Sequence, residues 1–165
     1  MDYKRLFFAS SILTALSLFI TGCVISTPFK GPGYSRWDGI KGAQPTDEFV
    51  VVLTYAKLDR NNRKAFDEGT ARVHKTMSTH DGLIGHSIRK EILGDEAWTI
   101  TVWKDEASVE NFSKSEIHRQ AVTEGRASLV ATKFRRLTLP ASQIPLSWKE
   151  AEKYLENPDR SYGQP

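Results

Sequence analysis

The stretch AWTITVWKDEASVENFSKSEIHRQAV, from Ala97 to Val122, constrains the fold more than any other part of the chain. Trp98, Ile100 and Val102 alternate with Thr99, Thr101 and Trp103. That period of two, built from β-branched and aromatic residues, predicts a strand with both faces at least partly covered. Asp105 stands where a helix N-cap belongs, with Glu106 in the first turn. Val109 and Phe112 are three apart and share a helix face. Ser113 and Ser115 then interrupt, and Ser115 is placed to cap a second short helix. In that helix Ile117 and Ala121 face the core, while His118, about 100° round from Ile117, falls at the edge of the buried face.

The segments on either side supply packing partners. Phe49 to Ala56 is a continuous, largely β-branched run, suited to a central strand buried on both faces. Asp59, Asn61 and Asn62 offer turn and cap chemistry, and a helix is expected from there to about Ser78. Its buried stripe is Phe66, Thr70, Val73 and Met77, with Gly69 permitting a close helix–sheet contact. Asp81-Gly82 ends the segment. Leu83 to Ile92 predicts a second strand with Ile84, His86, Ile88, Lys90 and Ile92 on one face, turning through Leu93 to Glu96 into the central stretch. Lys133 to Leu139 predicts a last strand, with Phe134, Arg136 and Thr138 facing one way and Arg135, Leu137 and Leu139 the other. A loop between Pro140 and Pro145 leads to a short helix, where Ser147 and Glu150 form a capping box and Leu146 and Ala151 a hydrophobic staple.

Strand, helix, strand, strand, helix, strand is the ferredoxin-like order. The expected fold class is therefore α+β, a four-stranded antiparallel sheet with an extra C-terminal helix over residues 48–157. Helices on one face of such a sheet leave the other bare. Val50 to Tyr55 and Trp98 to Trp103 are too apolar for a face left in water, so a second copy is expected to close over it as a dimeric α+β barrel.

The ends of the chain read differently. Lys4 and Arg5 precede an apolar run from Leu6 to Ile20, the pattern of an export signal and short for a membrane-spanning helix. The run ends in Ile20-Thr21-Gly22-Cys23, which resembles the lipobox of bacterial lipoproteins. That resemblance implies a signal peptide over residues 1–22, and a diacylglyceryl group and an amide-linked acyl chain such as palmitate on Cys23. It places the domain on the non-cytoplasmic side of the cell membrane or of an outer membrane. Residues 24–47 are rich in glycine and proline without apolar periodicity and read as a flexible tether, with Tyr34 and Trp37 free to dock on the domain or at the lipid interface. Residues 158–165 read as a polar, unstructured tail. Cys23 is the sole cysteine, so no intramolecular disulfide forms. A net charge of +3, dispersed along the chain, gives no case for a nucleic-acid partner.

Trp103, Asp105, Phe112, Ser115 and His118 carry a second resemblance. A Trp ending a strand, an acidic turn, an aromatic and then Ser-x-x-His are similar to the antibiotic-biosynthesis-monooxygenase-like dimeric α+β barrels. KFRRLTLPASQIPLSWKEAEKYL resembles the C-terminal part of one subgroup of them. The resemblance spans roughly Glu48 to Leu155. It implies a homodimer with a pocket between sheet and helices in each protomer, and relatives that oxidise quinol-like aromatics without a cofactor or degrade haem. A cofactor-free oxygenase needs an apolar cavity, a base and protection from water. The candidates are His118 as base, Trp103 and Phe112 as walls, and His86 as a further pocket residue. The positions that haem-degrading members fill with Asn, Trp and an axial His hold Ala56, Phe112 and Val122 here, which argues against haem degradation. His74, His80 and His86 stand six apart, which is neither a helix face nor a strand pair. They read as surface or turn residues, without a metal site. Two readings stay open: a lipid-anchored domain that binds and oxidises a small aromatic molecule, and a non-enzymatic envelope lipoprotein that uses the barrel for binding or assembly.

Overall fold

A computed structural model of the chain describes residues 23–163. The expected signal peptide lies outside the described residues, as do the last two residues of the tail. The chain enters on a short strand, β1 (Val24–Ser26), followed by a small hairpin of β2 (Tyr34–Ser35) and β3 (Gly39–Ile40). Next come β4 (Glu48–Leu58), α1 (Lys64–Thr76) with a 3₁₀ turn at Met77–Thr79, β5 (Leu83–Glu91) and β6 (Glu96–Trp103). They are followed by α2 (Glu106–Lys114), α3 (Glu116–Gly125), β7 (Leu129–Pro140), α4 (Trp148–Leu155) and β8 (Arg160–Tyr162).

One antiparallel sheet runs β1-β5-β6-β4-β7-β8. Its four inner strands have the ferredoxin-like connectivity that the sequence predicts, but the sheet has six strands rather than four. Both additions are three-residue edge strands held by backbone ladders: β1 against Arg89–Glu91 and β8 against Thr132–Phe134. They cover edges that would otherwise expose unpaired backbone groups. The expected unstructured tail is thus corrected in part, since Arg160 to Tyr162 are paired.

The expected tether is corrected more fully. From Cys23 to Gly33 the chain runs as a strap along β5, with backbone bonds Ile92 N–H to Cys23 O (2.9 Å), Thr27 N–H to Ile88 O (2.8 Å), His86 N–H to Lys30 O (2.8 Å) and Gly33 N–H to Ile84 O (3.1 Å). Gly31 is required there, because a Cβ on it would come 2.4 Å from the Gly85 backbone. Tyr34 docks edge-on against Phe29, with ring centroids 4.9 Å apart, whereas Trp37 stays 88% exposed at the hairpin tip.

The strap and α4 change the account of the sheet. Val51, Leu53, Ile100 and Val102 point to the face away from α1, α2 and α3, and none is more than 1% exposed. Phe29, Tyr34 and Ile40 from the N-terminal segment cover that face, together with Ile144, Leu146, Ala151 and Leu155 from the C-terminal one. The capping box at Ser147 and Glu150 sets the start of α4 as predicted. At about 1.5–3 kcal/mol for each large apolar side chain, this burial is a main source of stability. The oily face is therefore sealed within one chain, and the physical ground for closing it with a second copy falls away.

On the other face Val50, Met77, Leu83, Trp103 and Val109 form a smaller cluster with Val52, Val73 and Phe112 packed against it. A bulge between Leu83 and Gly85 splits the face expected for β5: Ile84 packs into the strap-side core while His86 turns towards the helices. Gly69 serves a helix–helix contact rather than the expected helix–sheet one, since a Cβ there would lie 3.2 Å from Ala121 of α3. Arg72 and Glu124 pair across the same two helices.

Candidate functional site

The two faces of the sheet differ in how well they are filled. Val52, Thr54, Thr99 and Thr101 lie at the centre of the sheet under the helices, yet all are only half-buried. Their neighbours on the opposite face are fully buried. Helices α1 and α3 pack on each other and leave this part of the sheet incompletely covered. Phe134, paired opposite Thr54, is 40% exposed on the same side. Arg136 reaches from β7 to Glu106 (2.7 Å) and Glu110 (3.4 Å) of α2 and ties that helix to the sheet.

An aromatic cluster lies between the end of β6 and helices α2 and α3. Trp103 ends β6, is 1% exposed, and donates its indole N–H to Thr101 Oγ1 at 2.9 Å. Phe112 stacks on it at 4.9 Å with a 32° tilt, and His118 lies on Phe112 at 4.7 Å. His80 meets Phe112 edge-on at 5.0 Å. Local sequence sets these positions. Asp105 caps α2 by accepting the Ser108 N–H, and Ser115 caps α3 by accepting the His118 N–H. The α2–α3 break at Ser115 then turns the His118 ring back towards the Ser113 carbonyl.

That carbonyl fixes the chemistry of His118. Nδ1 lies 3.1 Å from Ser113 O. A carbonyl only accepts, so Nδ1 carries the proton and Nε2 bears the lone pair of the neutral ring. Burial holds the pKa of His118 below the ordinary value, with the Ser113 carbonyl opposing and the nearby His80 adding to the lowering. At neutral pH His118 is thus a base with one free nitrogen. It also lines an open cavity of about 590 Å³ along α3 with Ser113, Arg119 and Val122.

His86 belongs to a second cluster. It is 6% exposed, and its Nε2 lies 3.1 Å from Nδ1 of His74 near the end of α1. This corrects the reading of His74 and His86 as surface or turn residues: the α1–β5 turn folds two residues twelve apart onto each other. His86 Nδ1 is buried with no partner among the described residues. An orphaned buried N–H is costlier than an orphaned lone pair, so Nε2–H donates to His74 and Nδ1 is bare. Burial, then the His74 and Lys30 charges, push the His86 pKa down to about 4. His80 Nε2 is also buried and unpartnered.

The structure therefore joins Trp103, Phe112 and His118, puts His86 in its own pair with His74, and leaves Cys23 exposed beside the β5 edge. Spacing in the sequence carried no signal for His74 or His80, because both act across layers. Among the described residues no group of three or more His, Cys, Asp or Glu stands together to hold a metal ion.

No curated protein matches the chain. Among solved structures, a candidate monooxygenase from Fusobacterium nucleatum matches with a TM-score of 0.50 and 15% identity, over 74% of this chain and 52% of that one. A candidate monooxygenase from Lactobacillus acidophilus matches with a TM-score of 0.50 and 12% identity, over 59% of this chain and 50% of that one. This chain thus spans about half the length of those two proteins. A conserved protein from Methanosarcina mazei matches with a TM-score of 0.51 and 14% identity, over 55% of this chain and 92% of that one. At these identities the likeness is one of fold. Residues 49–124, which run from β4 to α3 and carry Trp103, Phe112 and His118, match the family model of the antibiotic biosynthesis monooxygenases.

Proposed function

We propose that the incompletely covered space between sheet and helices binds a small, flat, apolar molecule of the aromatic or quinol-like class, and that His118 removes its proton for oxidation by dioxygen. The observation that carries this reading is the tautomer of His118, whose Nδ1–H is committed to Ser113 O and whose Nε2 is free beside Phe112. A proton passes from an activated ring CH₂ to Nε2, and the resulting carbanion gives its electrons to dioxygen. One oxygen atom becomes the new carbonyl. The other leaves as water with the two hydrogens of that carbon, so no external reductant is needed. Phe112, backed by the fully buried Trp103, supplies an apolar wall that disfavours water around the anion.

The test is oxygen uptake by the full chain with an anthrone-type substrate in air. His118→Asn should abolish turnover while ligand binding and the fold persist. Equal turnover in the variant removes His118 as the base, and absence of both binding and turnover in the native chain removes the enzymatic reading.

We also propose that the chain is exported and acylated at Cys23. The apolar run Leu6 to Ile20 and the exposure of Cys23 support this. Cys23→Ser should leave the precursor uncleaved or release the protein from membranes.

A further inference from the structure

We propose that an apolar rim beside Cys23 seats the domain directly on a lipid surface in one orientation. The proposal rests on the acylation reading, but its evidence is separate. Val24 and Ile25 of β1 are 41% and 45% exposed, and Ile92 and Leu93 in the β5–β6 turn are 50% and 65% exposed. The backbone bond from Ile92 to Cys23 holds the two pairs side by side. Within the turn, Glu91 folds inward and its carboxylate accepts the N–H groups of Asp95 (3.1 Å) and Glu96 (3.3 Å). That contact closes the turn and leaves Ile92 and Leu93 at its tip.

The occupant follows from what precedes the rim. The 22 residues before Cys23 include the apolar run Leu6 to Ile20 and end at the rim itself. Acyl chains on Cys23 would leave the protein at this spot. No slack follows Cys23, because β1 pairs with β5 from the next residue. A lipid anchor there draws Val24, Ile25, Ile92 and Leu93 to the interface, where exposed apolar side chains gain burial. The opposite end of the strands, at Ser142, whose N–H donates to Pro45 O, then faces away from the bilayer.

The experiment uses the full chain, recovered from membranes and placed in vesicles of phosphatidylethanolamine with phosphatidylglycerol as the minor lipid. Leu93→Cys and Ser142→Cys are labelled separately with an environment-sensitive fluorophore, and peptide mass reports both the labelled site and the state of Cys23. The label at 93 should shift to the blue, brighten severalfold and be quenched by headgroup-labelled lipid, while the label at 142 stays water-like. Water-like emission at both sites overturns the proposal whether or not Cys23 is acylated. Equal quenching at both sites overturns the orientation. Lipid entry at 93 with an unmodified Cys23 supports the rim and sinks only the anchor.

Discussion

His86 Nε2 and His74 Nδ1 stand 3.1 Å apart across the layer between β5 and α1, and the buried Nδ1 of His86 has no partner among the described residues to receive a second proton's N–H. Burial lowers the pKa of His86 from the ordinary histidine value of 6.5 to about 4 on folding. Because the unfolded chain binds the proton more tightly, stability is fully present above about pH 6.5 and is lost as pH falls towards about 4. The loss amounts to at most about 3 kcal/mol from this residue, and the lowered pKa of His118 adds in the same direction. Thermal melts across that range should show the slope, and His86→Phe should flatten most of it. A native chain equally stable at both ends of the window would contradict the burial of His86.

Ser115→Ala removes the cap of α3 and should cost about 1 kcal/mol in denaturant unfolding. Because the same break sets the His118 ring against Ser113, the variant should also lose base function beyond its stability loss. The readout is a fall in the maximal rate with little change in substrate affinity.

Gly31→Val forces a side chain into the Gly85 backbone. The strap should detach from β5 and expose the Phe29 and Tyr34 contacts. We expect a destabilisation of about 2–4 kcal/mol and fast hydrogen exchange at the Thr27 and Gly33 amides.

The native chain should sediment as a monomer, since its apolar sheet face is already covered. Replacing Leu146 and Leu155 by Asp strips α4 from that face, and the variant should associate with rising concentration. A native dimer that survives dilution to low concentration would show that another surface joins two copies.

The elements legible in the sequence were those whose side chains do the work. The β-branched run of β4, the alternation in β6, and the caps at Asp105, Ser115 and Ser147 all stand where pattern and hydrogen-bonding chemistry put them. The strap and β8 were illegible because backbone bonds hold them, and a backbone ladder of two or three residues leaves no periodicity. Mistaking the strap for a tether had a large effect, since Phe29 and Ile40 are the residues that close the sheet. The proximity of Trp103, Phe112 and His118 could be read because one short stretch, the end of β6 with α2 and the first turn of α3, carries all three. The approach of His74 to His86 could not, because it depends on how α1 returns over β5.

Phe29 and Leu155 belong to one core although they stand at opposite ends of the domain. A chain emerging amino end first, from a ribosome or through a translocation pore, cannot complete that core until its final helix arrives. Loop-closure entropy of this kind delays folding. The polypeptide should therefore remain threadable through a narrow channel for nearly its whole passage, and commit to its final shape only after release.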